Sequence, residues 1–572
     1  MLTGLSSRIL NVLVFVILAL FSAVLCSCQK TEETPTAQRP QAHVRTESFQ
    51  KITLIRELAT DPQCLNPILS NEAPASAVER LIFDSLLDVD GSADQNLIGR
   101  LAEKWEISAD KLAISFHLRP DVRWHDGKSF TAADVKFTFD SAMSEHIPAI
   151  EWKSTIEPIA QVKMIDVSTV QFIMKYPFVP GLLSIGKKKI LPKHLLDETG
   201  LAAETQARKL KQPVTFLDTH FNRHPIGTGP YLLDEWKTGQ SIKLSRHDTY
   251  WDGKKSPQIK HILFKIFPSR TVAFNVLKKG NLDVYQAPKS QYRQFMKLSK
   301  LNQSHTAFRF YEPLYIYVAW NNRADHRLFS DRRVRKAMTY ALDRESFVQK
   351  VGRGMAKIIS GPFYFASWAN NPDIEPWPYD LNKAAELLKK AGWDDHDGDG
   401  LLDKNGQSFR FKVIIPGGST TFPKLATLLQ ANLKKLSIQV LINQVEWSLY
   451  LDKTHSGDFD AYVGGWSSGL DPDSFSTWHS SQIGVGNNDI GYQNKEVDQL
   501  LEEGRRTFTR EQRIRIYHNI HQILHEDQPY TFVCTPMKTY IVSKRIDNVY
   551  VSPRGLFDFY PGQLSWTLVD GQ

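Results

Sequence analysis

An α/β fold of two or three lobes is what this sequence predicts, and three observations predict it. At 572 residues the chain is longer than one hydrophobic core sustains, since single cores stop growing near ~250–300 residues. Strand-like alternation and amphipathic helical periodicity mix along its whole length, which excludes an all-helix or all-strand architecture. The helical stretch Pro423 to Leu436 also runs straight into the strand pattern Ile438-Gln-Val-Leu-Ile442, an α/β unit read directly from residues.

The ordered part opens with the alternating strand Lys51-Ile-Thr-Leu-Ile-Arg56, a Pro-bearing loop from Asp61 to Pro67 and a helix from Ala75 to Leu87. Leu112 to Leu118 and Val170 to Met174 alternate as strands. Thr131 is placed to cap a helix beginning Ala132-Ala-Asp-Val-Lys-Phe137. Behind Asp331, a helix reaching Lys350 lines up Val334, Met338, Ala341 and Leu342, and another from Leu381 to Ala391 stops at Gly392. No repeat of solenoid length is present.

Composition narrows the function classes. With 42% hydrophobic and 23% charged residues, the chain has the make-up of a soluble globular protein. Its 70 basic against 62 acidic residues leave a formal charge of +8, without the Lys/Arg block that a nucleic-acid binder carries.

The first residues read as targeting. Arg8 precedes an apolar stretch from Val12 to Leu25, shorter than the ~20 residues a bilayer span needs, so 1–27 is a signal peptide and not an anchor helix. It ends Leu25-Cys26-Ser27-Cys28, which resembles a bacterial lipobox. The small Ser27 makes Cys28 the expected lipidated N-terminus, anchoring the chain to a membrane in the cell envelope. Residues 28–48, rich in Thr, Glu, Pro and Gln, read as a flexible tether. Beyond the signal and the lipid site, Cys64 and Cys534 either pair, in a compartment where disulfides persist, or remain two buried thiols.

Three motifs suggest chemistry. Gly465-Trp-Ser467-Ser-Gly469 matches the nucleophile-elbow pattern and would make Ser467 a hydrolase nucleophile, but Leu470-Asp-Pro472 follows where an elbow needs a helix. His518, His521 and His525 lie within two helical turns without the acidic base of a zinc-protease motif, and read as a solvated face beside Ile516, Ile520 and Ile523. Asp395, Asp397, Asp399 and Asp403 occupy positions one, three, five and nine of a calcium loop, with Gly400 at six. Position twelve is Gly406, so the loop reads as structural, with calcium weak and auxiliary and no other cofactor expected.

Several ordered motifs resemble the family of bacterial extracellular solute-binding proteins that serve peptide and nickel ABC importers. They include Leu101-Ala-Glu-Lys-Trp-Glu106, the run Phe116 to Val135, Gly227-Thr-Gly-Pro-Tyr231, Tyr250-Trp-Asp-Gly253, Asn321-Asn322, Ala391-Gly-Trp393 and Phe459 to Trp466. The resemblance implies a periplasmic binding protein-like fold of two lobes and a two-crossing hinge, with three domains of which the first is discontinuous. On this basis 49–90, 227–314 and 537–572 form lobe I, 91–226 a second domain packed on it, and 315–536 lobe II. It implies a monomeric receptor, not an enzyme, that takes peptides or peptide-like solutes in the periplasm and hands them to permease subunits in the inner membrane. A hydrolase using Ser467 and a sensor without a permease are the competing readings. The resemblance places ligand contacts at Asn66, Pro67, Gly465, Trp466, Ser467, Asp471 and Asp473. Peptide-binding relatives carry an Asp three residues beyond the Trp for the ligand's α-ammonium; here that position is Gly469, leaving Asp471 as the nearest substitute.

Overall fold

The computed structural model describes residues 51–569 apart from 93, 94, 254, 255 and 327. The signal peptide, Cys28 and the tether lie outside the described residues. No helix among the described residues is long and apolar enough to cross a membrane.

One strand organises the molecule. Tyr530–Ser543 is 14 residues long, roughly 46 Å at strand rise. Its first part pairs antiparallel with Leu314–Trp320, from Tyr530 opposite Ala319 to Cys534 opposite Ile316. Its last part pairs with His305–Tyr311 and with Val284–Gln286. Both faces are buried, and side chains alternate between cores: Val533 and Phe532 enter two clusters of the far lobe, the one that holds Leu314–Trp320, and Val542 and Ile541 two clusters of the near lobe, the one that holds Thr53–Leu58. The far lobe continues the sheet through Ala461–Ser467, Arg410–Pro416 and Gln439–Val445, and the near lobe through Thr53–Leu58, His261–Ile266, Ser241–Arg246 and Tyr231–Lys237. A separate four-stranded antiparallel sheet runs in the order Ala102–Ile107, Ala113–Leu118, Thr169–Met174 and Ile159–Met164. Its buried side chains share one continuous core with the near lobe, from Leu54 to Trp566.

The lobes are joined where prolines interrupt the ladder. Glu312 and Pro313 separate His305–Tyr311 from Leu314–Trp320, and Pro536 sits in the middle of the long strand. Proline has no amide donor, and the ladder with Leu314–Trp320 stops at Cys534, while Pro536 itself stands opposite Ala356 of the short strand Ala356–Ile358. The Glu312 amide donates to the Pro536 carbonyl at 3.0 Å, tying the two crossings together.

Local chemistry sets the helices. Thr131 accepts from the Ala133 amide at 3.3 Å and Asp134 accepts from the Thr131 amide at 2.8 Å, a reciprocal cap for Ala132–Met143. The first helix covers Ala73–Ile82 and not Ala75 to Leu87. The Gly229 amide takes the Ile82 carbonyl at 2.8 Å, and a Cβ on Gly227 would meet that oxygen at 1.8 Å, so the glycines of the Gly227-Thr-Gly-Pro-Tyr231 motif permit the contact that ends the helix. The stretch behind Asp331 is also not continuous. Arg332–Ala341 ends at Leu342, and Asp343 caps a new turn, accepting from the Ser346 amide at 2.8 Å. Cys64 and Cys534 are both free thiols.

The histidines of helix Arg510–Asp527 do not form a solvated face. His521 and His525 are buried, and each ring is bonded: His521 Nδ1 accepts from the Asn371 amide at 3.1 Å and Nε2 lies 3.1 Å from Ser360 Oγ, while His525 Nδ1 lies 2.9 Å from the Ser360 carbonyl. Burial lowers His521 to about 3, helped by His525 and His518. Its pKa is lower folded than unfolded, so the unfolded chain takes the proton first. The stability is full above ~6.5 and is lost as pH falls toward 3. Between pH 6.5 and 4.5 this one group should cost about 2 kcal/mol. Thermal melts over that range should show wild type losing more stability than His521→Gln; parallel curves would refute the assignment.

Candidate functional site

The principal cavity, about 700 Å³, lies at the hinge between the lobes. The near lobe supplies Gln286 to Lys289, Lys538 and Thr539, and the far lobe supplies an aromatic floor. Tyr317 stacks on Tyr530 with centroids 4.0 Å apart at 9°, and on Trp466 at 6.5 Å and 15°. Gly464 leaves room for this stack, since a Cβ there would stand 2.7 Å from Tyr317 Oη. Burial holds the phenols of Tyr317 and Tyr462 well above the usual range, so they remain neutral. On the outer side Trp447, 55% exposed, stacks on Tyr450 at 5.4 Å and 15°. Such an exposed large ring beside a concave site is a ready ligand wall.

Charged groups are few there and mostly paired. Lys538 Nζ lies 2.6 Å from Glu312 Oε1, and His455 Nδ1 lies 2.8 Å from Asp489 Oδ1. Burial lowers the Lys289 ammonium below its ordinary value.

A second cavity of about 220 Å³ adjoins the first across Trp466 and is lined by Ser467 to Ser474, with Gln95 and Arg554 facing from the near lobe. Gly465 and Trp466 line the hinge cavity and Ser467, Asp471 and Asp473 the adjoining one. The carboxylates, however, already have partners. Asp471 receives both Arg513 terminal nitrogens at 2.8 Å, and Asp473 receives Arg505 Nε at 2.9 Å and Nη2 at 2.8 Å. A carboxylate held by a bidentate guanidinium has little charge left for an amine, so the geometry argues against the role expected of Asp471. It argues likewise against Asn66 and Pro67, which are interior supports. Asn66 is 0% exposed and its Nδ2 donates to Asn222 Oδ1 at 2.9 Å, while the Pro67 carbonyl accepts from Trp152 Nε1 at 2.8 Å. Ser467 ends the strand Ala461–Ser467, and the next helix starts only at Phe475, so the strand-to-helix elbow of a hydrolase is not formed.

The acidic loop satisfies itself. Asp395 accepts from the Gly398 and Gly400 amides at 2.9 and 3.2 Å, Asp399 from Leu401 at 2.8 Å, and Asp403 from His396 at 2.7 Å. Asp395, Asp397 and Asp403 offer oxygens within 4.8 Å of one another, and Asp399 stands outside that group. Gly406, at φ +74°, turns the hairpin between Asp403–Lys404 and Gln407–Ser408. With three carboxylates and no closing glutamate, calcium or chelator should move the calorimetric melting temperature by less than about 2 °C. A shift of many degrees would make the loop a structural metal site.

Sequence reasoning missed Trp447, His455 and Asp489. Asp489 follows an Asn-Asn pair in a loop without periodicity, and only the fold brings it to the cavity.

Comparison with known proteins agrees with this architecture. Residues 96–487 match the model for bacterial extracellular solute-binding proteins, family 5 Middle. The chain is 32% identical over 554 residues to the oligopeptide-binding protein AppA of Bacillus subtilis (strain 168), covering 95% of each, and 27% identical over 544 residues to the dipeptide-binding protein of Escherichia coli (strain K12), covering 90% of this chain and 94% of that one. The structure of the Bacillus subtilis AppA protein in complex with a nonapeptide matches with a TM-score of 0.71 at 30% identity, over 91% of this chain and 99% of that one. The fold is that of a periplasmic binding protein, and these relatives are substrate-binding proteins rather than enzymes. The chain belongs to the bacterial extracellular solute-binding proteins of family 5.

Proposed function

We propose that this protein is the peptide receptor of an ABC importer, lipid-anchored through Cys28 in the cell envelope, capturing peptides or peptide-like solutes as a monomer and delivering them to permease subunits in the inner membrane. The observation that carries the reading is the aromatic-floored hinge cavity. Its volume of about 700 Å³ falls within the ~300–1,000 Å³ of small-ligand sites. It opens between two lobes joined by two proline-interrupted crossings, so a ligand touching both lobes favours the closed form by differential affinity. The names of the oligopeptide- and dipeptide-binding relatives support peptides as the solute class. The lipid anchor rests on Ser27-Cys28 after the apolar stretch.

Calorimetric titration with pools of synthetic peptides of four to nine residues should give saturable binding, with the ligand recovered uncleaved. Binding by no pool removes the peptide reading, and turnover lost in Ser467→Ala would reverse the non-enzymatic assignment. Cys28→Ser should release the protein from membranes; unchanged partition would refute the anchor.

A further inference from the structure

The near lobe carries a third cavity, of about 330 Å³, between helix Ala73–Ile82, residues 187–189 and the loop 554–564, with Leu470 as its lining residue from the far lobe. It shares Leu470 and Arg554 with the cavity lined by Ser467 to Ser474. The charges around it do not balance. Lys187 pairs with Asp88, and Arg80 Nη1 lies 2.7 Å from Asp558 Oδ1. Among the lining residues that leaves Lys189 and Arg554 as cations against Glu79 alone. Lys189 is half-buried and has no carboxylate within 4 Å among the described residues, and Arg554 bonds only the Gly469 and Ser468 carbonyls at 3.3 Å. Glu79, 5% exposed, accepts from Ser70 Oγ at 2.6 Å. Burial raises its carboxyl to about 7 and lowers the Lys189 ammonium to about 8. The excess is therefore one positive charge with Glu79 ionised and two with it protonated.

A hydrogen-bond donor in the same wall is fixed and unspent. Gln563 lines the cavity, is 6% exposed, and accepts on Oε1 from Arg56 Nη1 at 2.5 Å. A guanidinium only donates, so it keeps the amide oxygen on its own side, and Nε2 is left buried without a hydrogen-bond partner. Arg56 is itself clamped, with its guanidinium 3.7 Å from the Phe557 ring centre. The backbone of Lys189 is held by an antiparallel bridge to Ser85. A buried donor without an acceptor and a half-buried ammonium without a counter-charge are both costly, and one oxyanion relieves both.

We infer that this cavity is an oxyanion site, in which Lys189 and Arg554 supply the charge and Gln563 Nε2 a hydrogen bond to a carboxylate or phosphate group. Free phosphate and an acidic side chain of a peptide ligand share this chemistry. The second source rests on the peptide reading, and the first does not.

Calorimetric titration separates the sources, using inorganic phosphate and two pools of synthetic peptides of four to nine residues, one rich in Asp and Glu and one without them. For a free anion, phosphate should bind wild type with a Kd below about 1 mM; for a side chain, the acidic pool should bind at least about tenfold tighter than the neutral pool. Lys189→Gln should weaken phosphate binding by at least about tenfold, or erase the acidic preference. Gln563→Glu, which keeps the shape and an acceptor for Arg56 but repels an anion, should do the same and reads the site if the first variant folds poorly. Neither phosphate binding nor an acidic preference in wild type overturns the inference, as does an effect that both variants leave unchanged. Phosphate binding without binding of either peptide pool overturns the peptide reading and leaves the inference standing, and failure of all three probes overturns both.

Discussion

Replacing Arg513 by alanine is expected to destabilise the protein by about 3–5 kcal/mol, the cost of leaving a buried ion-pair partner alone. Arg513 is 8% exposed on its side chain and Asp471 16%. Its two terminal nitrogens reach the two Asp471 oxygens at 2.8 Å, and Nε donates to the Gly504 carbonyl at 3.0 Å. Burial pulls the guanidinium pKa down, yet the Asp471 bonds and charge outweigh it and hold the group well above its ordinary value. The pair clips the 467–473 loop to helix Arg510–Asp527, so alanine loses the clip and strands a carboxylate. Denaturant unfolding measures the loss. The same measurement separates two roles for Asp471: as a structural clip, Asp471→Asn should lower stability while free-amine and acetylated peptides lose affinity by the same factor. Unchanged stability with lost amine selectivity would restore Asp471 as the amine holder.

The contrast between Asp471 and Asp489 shows what was legible in the sequence. The α/β class, the Thr131 and Asp331 caps and the stop at Gly392 follow from short-range rules, and the structure obeys them within a residue or two. The Gly227-Thr-Gly-Pro-Tyr231 motif was recognisable as a pattern, but its cause, the close approach of Gly227 and Gly229 to the Ile82 carbonyl, joins segments far apart in the chain. The same contact shortened the first helix, which periodicity alone extends to Leu87. Site residues were harder because a carboxylate's availability depends on its neighbours. Asp471 stood in the right loop and was spent on Arg513, 42 residues away; Asp489 stood in an unremarkable loop and was left with a histidine from another element. Asn66 and the histidines of Arg510–Asp527 show the same limit, being polar residues whose burial only the packed partners reveal.

Removing two cleft-spanning contacts, in the double variant Arg554→Ala, Tyr364→Phe, should open the unliganded protein and weaken peptide binding by up to about 100-fold. Among the described residues the lobes meet at several places. Arg554 Nη1 and Nη2 approach the Gly469 and Ser468 carbonyls at 3.3 Å, Tyr364 Oη lies 3.1 Å from the Pro553 carbonyl and also 3.2 Å from the Tyr311 carbonyl, and the Val179 amide donates to the Arg505 carbonyl at 2.8 Å. The first two leave no carboxylate stranded when removed, so their loss acts on closure and not on the core of either lobe. Bonds from a charged donor contribute ~1.5–3 kcal/mol and a neutral one ~0.5–1.5, together about 3 kcal/mol, or about two orders of magnitude in the open–closed equilibrium. A ligand that engages both lobes binds only the closed form, so its affinity falls with the closed fraction. Small-angle scattering should show a larger radius of gyration for the unliganded variant and recovery of the compact form with saturating peptide, and the affinity loss should appear mainly as faster dissociation. If radius and affinity both match wild type, these contacts merely accompany closure, and the aromatic floor with the Val179–Arg505 bond suffices to hold the lobes together.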